Sequence, residues 1–211
     1  MTRPTSMVKR RAVLAAAEEA FLGGGYDSVT MNDIAERSGV SKQTVYAYFG
    51  NKEGLFRHLV ASMTEDAGDR VHVQPPEITE PGDLAPAFEE LLSRQLSVVM
   101  TPRLLQLRRL VIGEVRRFPS LAEALGEHGP HRAIHVFADL LADLDERGLL
   151  VVPDPGVAAR QLNWLVMGEP VSNAMLFGDD AIPSKRDMRD HVHSAVAVFL
   201  AAYRPFDAGA T

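Results

Sequence analysis

TMNDIAERSGVSKQTVYAYFGNKEGL, residues Thr30 to Leu55, reads as two short helices with a tight turn between them. Thr30 stands three residues before Asp33, a pairing that offers the unpaired N–H groups of a helix N-terminus both a side-chain acceptor and a favourable negative charge. The first helix therefore starts at Met31, with Ile34 and Ala35 turned inward. Ser38-Gly39 ends it, because Gly39 can take the left-handed conformation without steric cost. Val40 fills the corner. Ser41 is a second N-cap, so the next helix opens at Lys42 after a turn of about three residues, the connection used by a helix-turn-helix.

At about 100° per residue, Val45 and Phe49 share one face of that second helix, and Gln43, Thr44 and Ala47 share the opposite one. Tyr46 and Tyr48 fall on the flanks, where a phenol can pack its ring inward and hydrogen-bond outward, and Lys42 sits in the first turn. Such a helix fits the DNA major groove, where Gln reads adenine and Ala meets a thymine methyl group. The predicted DNA contacts are Gln43, Thr44 and Ala47 on bases, with Thr30, Lys42, Tyr46, Tyr48 and Lys52 on phosphates.

The longer phrase SVTMNDIAERSGVSKQTVYAYFGNKEGLF resembles the DNA-binding signature of the tetracycline-repressor-like (TetR) family. Thr30, Ile34, Ala35, Gly39, Val40, Ser41, Thr44, Tyr46, Phe49, Lys52 and Leu55 carry the match. The resemblance implies an all-α chain, with an N-terminal three-helix helix-turn-helix domain and a C-terminal helical domain that binds a ligand and dimerises. It further implies a ligand-responsive transcriptional regulator, most often a repressor, which binds a palindromic operator as a homodimer and is released by a small hydrophobic or amphipathic effector. A two-fold dimer would set its recognition helices about 34 Å apart, or a multiple of that. Effector binding would tilt the long helix that begins near Asn51.

Outside this stretch the overall charge of −6 argues against a nucleic-acid binder until it is divided along the chain. Residues 1–60 carry eight Lys/Arg against six Asp/Glu, or +2, and the remainder carries −8. The basic end is the end with the helix-turn-helix. The chain has no cysteine, which excludes disulfides, thiol catalysis and thiolate metal sites. No stretch approaches the roughly 18 apolar residues of a membrane span, and the start is too interrupted for a signal peptide, so a cytoplasmic location is expected.

Residues 8–22 form a helix over the helix-turn-helix core, closed by Gly23-Gly24-Gly25. Another helix runs from Asn51 toward Val73, where Gln74-Pro75-Pro76 breaks it. Further helices are predicted over about 83–99, 103–117, 120–127, 131–147, 156–177 and 185–203, with no strand. The domain boundaries expected are 1–55 for DNA binding, 56–204 for regulation and dimerisation, and 205–211 for a frayed tail.

Arg103 to Phe118 shows an apolar arc of roughly 220°, which predicts a central helix. Arg108 falls mid-arc. It is either paired with another helix or snorkelling, or it faces a ligand cavity and favours an acid or carbonyl compound. Met63, Phe88, Leu92, Met100, Ile112, Phe118, Phe137, Trp164 and Met167 complete the candidate ligand-binding set, since Met and aromatic side chains suit a cavity that accepts several shapes. The last two long helices read as a dimer interface through Leu162, Leu165, Val166, Met188, Val192, Val196 and Phe199, giving a four-helix bundle between two chains. The alternative is that the same stripes form the intramolecular core of a monomer.

His131, His135 and Asp139 have metal-ligand spacing on one helical face, with His128 out of register; the reading is a solvated or capping role, with no metal and no cofactor. A helical enzyme, or a protein-interaction module with a vestigial helix-turn-helix, remains the alternative class. No triad-like motif, phosphate loop or Glu-x-x-His pair supports an enzyme.

Overall fold

The computed structural model describes residues 6–71 and 77–205, and within these the chain is helical with no strand. The expected break at Gln74-Pro75-Pro76 and most of the expected tail lie outside the described residues. The chain divides into two compact units, residues 1–66 with 106–128, and residues 67–105 with 129–211. Chain order alone did not indicate that residues 106–128 group with the N-terminal helices.

The first unit begins with α1 (Ser6–Gly24), which ends where Gly25 takes φ +81°. α2 (Met31–Ser38) and α3 (Lys42–Phe49) follow, and α2 packs against both α1 and α3. Thr30 and Asp33 close a reciprocal cap: the Thr30 hydroxyl accepts from the Asp33 N–H at 3.2 Å, and the Asp33 carboxylate accepts from the Thr30 N–H at 2.9 Å. The Thr30 hydroxyl, donating to the same carboxylate at 2.8 Å, and then the Thr30 N–H hold the Asp33 carboxyl below its ordinary value. Gly39 takes φ +64°, the left-handed turn that a Cβ would strain.

α4 (Lys52–Val71) starts against the end of α3. A Cβ at Gly54 would stand 2.2 Å from the Phe49 carbonyl oxygen, so only glycine permits that approach. Phe21, Tyr26, Phe56 and Phe118 stack into one aromatic core, with ring centroids 4.8 to 5.7 Å apart.

α6 (Pro102–Glu114) stops earlier than expected. The N–H groups of Arg117 and Phe118 both turn back to the Glu114 carbonyl, and Pro119 disfavours helical geometry at Phe118. Its apolar arc is not wholly covered either, since Ile112 is 56% exposed. α7 (Pro119–Gly126) completes this unit, followed by a wide π-type turn, Glu127–His131, broken at Gly129.

The second unit packs α5 (Leu84–Val99), α8 (Arg132–Glu146), α9 (Pro155–Phe177) and α10 (Lys185–Tyr203) around one apolar core. Ser184 caps α10 by accepting from the Asp187 N–H, but the Asp187 carboxylate answers to the Ser184 hydroxyl. Among the described residues the buried side chains of this unit are apolar except for Gln95 and Asn163.

α9 continues through Pro170. Proline has no N–H, so the Val166 carbonyl one turn earlier loses its helical donor. His191 of α10 replaces it, its Nε2 standing 3.0 Å from the Val166 oxygen, which requires the proton on Nε2. A His191→Phe protein is expected to lose about 1 kcal/mol of stability. A lower denaturation midpoint at unchanged slope would register it.

Candidate functional site

The second helix of the pair is built from its caps outward. The Ser41 hydroxyl accepts from the Thr44 N–H at 3.3 Å and lies 2.8 Å from the Thr44 hydroxyl, so Thr44 is half-buried and partly committed to the turn. Val45 and Phe49 are buried, anchoring α3 in the unit. Lys42, Gln43, Tyr46 and Ala47 are exposed on the other side. Lys42 Nζ lies 5.9 Å from the Tyr46 ring centroid, keeping a cation beside a phenol at the helix start.

Tyr48 is half-buried, and its hydroxyl sits 3.0 Å from the Ser6 hydroxyl at the start of α1. That contact was not foreseen, because nothing in the local pattern relates residues 42 positions apart. The resulting surface is a short helix with small polar groups at its crest, one amide able to make a bidentate base contact, and donors on its flanks.

Lys52 does not join that surface. Its Nζ donates to the Asp27 carbonyl at 3.3 Å and lies 4.3 Å from the Tyr26 ring centroid, and burial lowers its pKa while Asp27 opposes that shift. The expected phosphate contact is thus redirected into the fold. Arg117, in the turn after α6, pairs with the Asp27 carboxylate at 2.7 Å. Thr30 remains exposed, its hydroxyl engaged with Asp33.

The expected ligand-binding residues are not brought together within one unit. Met63, Arg108, Ile112 and Phe118 belong to the first unit and the other six to the second. Met63, Phe88, Leu92, Met100, Phe137 and Met167 are buried, Phe118 packs on Tyr26, and Ile112 and Trp164 are exposed, the latter at 61%. Arg108 is half-buried, and burial lowers its pKa. Among the described residues no carboxylate pairs with it. The first unit also holds a cleft of about 310 Å³ lined by Arg57, His58, Ala61, Ser120, Glu123, Ala124, Glu127 and His128. None of the expected ligand residues lines it. His128 lies 3.1 Å from Glu65 there.

The expected dimer residues require a larger correction. Leu162, Val166, Met188, Val192, Val196 and Phe199 lie inside the core of the second unit, and only Leu165, 39% exposed, points outward. An apolar stripe marks the face that is buried first, and here the chain's own helices cover it. A different face stays open: Trp164, Leu165, Ser172 and Leu176 on α9, and Ala197, Val198 and Ala201 on α10, each at helical spacing.

Residues 13–59 match the tetR family of bacterial regulatory proteins, and residues 86–205 match the C-terminal domain of AefR-like transcriptional repressors. A solved structure of a regulator from Mesorhizobium loti, assigned to the TetR family, is similar with a TM-score of 0.85 and 34% identity, covering 97% of this chain and 100% of that one. The flavonoid-responsive regulator FrrA gives a TM-score of 0.79 at 29% identity, over 94% of this chain and 98% of the other. Of curated relatives, the uncharacterised HTH-type regulator YdeS of Bacillus subtilis is 38% identical over 71 residues, 34% of each chain. The regulator TtgR of Pseudomonas putida is 36% identical over 64 residues, 30% of each. The alignments thus span about a third of the length of these curated relatives.

Proposed function

Because the chain belongs to the TetR family of bacterial transcriptional regulators, a non-enzymatic family, and carries an AefR-like repressor C-terminal domain, we propose that it represses transcription as a homodimer on a palindromic operator and leaves it on binding a small hydrophobic or amphipathic effector. The observation that carries this reading is the doubly capped helix pair, which buries Val45 and Phe49 while leaving Lys42, Gln43, Tyr46 and Ala47 free. On this reading residues 1–55 are the DNA-binding domain, acting in the cytoplasm. Gln43, Thr44 and Ala47 meet bases, and Thr30, Lys42, Tyr46 and Tyr48 meet the backbone.

The dimer is proposed through the open face of α9 and α10 around Trp164, Leu165 and Val198 rather than through the buried stripe. An apolar, ring-bearing effector is supported by the similarity to a flavonoid-responsive regulator. The second unit supplies the apolar interior such a compound needs.

Binding to the DNA upstream of its own coding sequence tests the reading. The expected result is sequence-selective binding whose logarithm falls linearly with the logarithm of salt, with a slope of about −0.9 per phosphate contact. Equal affinity for random DNA, or no salt dependence, would sink it.

A further inference from the structure

The second unit, taken as the effector domain on the reading above, buries two polar side chains among otherwise apolar ones, among the described residues. Gln95 on α5 and Asn163 on α9 are 5% and 3% exposed. The Gln95 Nε2 donates to the Asn163 Oδ1 at 3.5 Å, a long hydrogen bond. The Gln95 Oε1 is buried with no hydrogen-bond partner, the single such side-chain atom among the described residues. Their neighbours one helical turn away are Leu91, Leu92, Val98 and Val99 on α5, and Ala159, Arg160, Val166 and Met167 on α9. Of these only Arg160 carries a side-chain hydrogen-bond donor, and it is exposed.

A buried acceptor left bare costs about 1–3 kcal/mol, whereas two apolar side chains of similar size in place of the amides would cost little. Stability therefore does not account for this pair. Turning both amides over keeps their mutual hydrogen bond and leaves the Gln95 amino group open instead of its oxygen, so one polar atom is bare in either orientation.

We infer that Gln95 and Asn163 form the polar end of an effector site within the second unit, and that the site takes a neutral apolar compound bearing a hydroxyl group. A hydroxyl both donates and accepts, so it satisfies whichever amide atom is open. A carboxylate or an ammonium would enter an interior without a buried charged side chain to balance it, among the described residues. A site that hydrogen-bonds a hydroxyl also rejects the analogue lacking it, because the protein's own polar atom is then stranded.

The test is calorimetric binding to the full-length protein without DNA, using phenol, 2-naphthol and 4-phenylphenol, each paired with its methyl ether. At least one of the three is expected to bind about tenfold more tightly than its ether. In the double variant Gln95→Leu, Asn163→Leu, which removes both amides together, that preference should fall to about one, with little change in thermal stability. The inference is overturned if none of the phenols binds, if the ethers bind as well, or if the folded double variant keeps the preference. Because no DNA is present, failure here leaves the regulator reading standing. Failure of operator binding likewise leaves the assignment of this site intact.

Discussion

A Gln43→Ala protein should fold and dimerise as the parent does, yet bind its operator about 5- to 150-fold more weakly, the effect of about 1–3 kcal/mol for one lost bidentate base contact. Gln43 is fully available for that role, since it lies on the exposed side of α3 and the caps at Ser41 and Gly50 leave its amide uncommitted. The loss should be confined to the operator, with affinity for random DNA unchanged. Lys42→Ala should behave differently, weakening all sequences alike and reducing the salt slope by about one. Competition binding with operator and random duplexes at several salt concentrations separates the two. If Gln43→Ala binds operator as the parent does, α3 is not reading bases through this residue.

Leu165→Glu should convert the protein to a monomer at micromolar concentration and reduce operator affinity by two to four orders of magnitude, roughly the gain that linking two half-site contacts provides. Leu165 stands beside Trp164 on the open face of α9, and a carboxylate buried there against a second copy would lack a partner. Leu162→Ala, one turn away but inside the core, should instead cost about 2–5 kcal/mol of stability and leave the mass of the assembly unchanged. Sedimentation and denaturation on the two variants therefore assign the two faces of one helix to two different jobs. A dimeric Leu165→Glu protein would move the interface elsewhere.

That contrast also shows where sequence reading stops. Thr30, Asp33, Gly39 and Ser41 announce the helix-turn-helix because caps and left-handed turns are local chemistry, written within four residues of where they act. The helices of the second unit are legible through their periodicity for the same reason. Which apolar stripe faces the chain's own core and which faces another copy is decided by packing, so Val192 and Phe199 read as interface when they are interior. Lys52 matches the family pattern and looks like a phosphate donor, but the Tyr26 ring and the Asp27 carbonyl, 25 or so positions earlier, claim it. Gln95 falls on the Leu91, Leu92 and Leu96 stripe, where an amide is out of place, a signal that the sequence reading did not take up. Asn163 interrupts an apolar run in the same way. Their meeting was not visible, since it joins residues 68 apart.

The hydrogen bond from His191 across the gap at Pro170 ties two sites that chain order keeps apart. Its consequence is historical as much as mechanical. A lineage that replaced Pro170 with a residue carrying an N–H would relieve His191 of its duty and let that position drift, whereas one that lost His191 first would carry an unanswered carbonyl until position 170 followed. The two positions should therefore vary as a pair, and α10 should keep its register on α9 for as long as the proline persists.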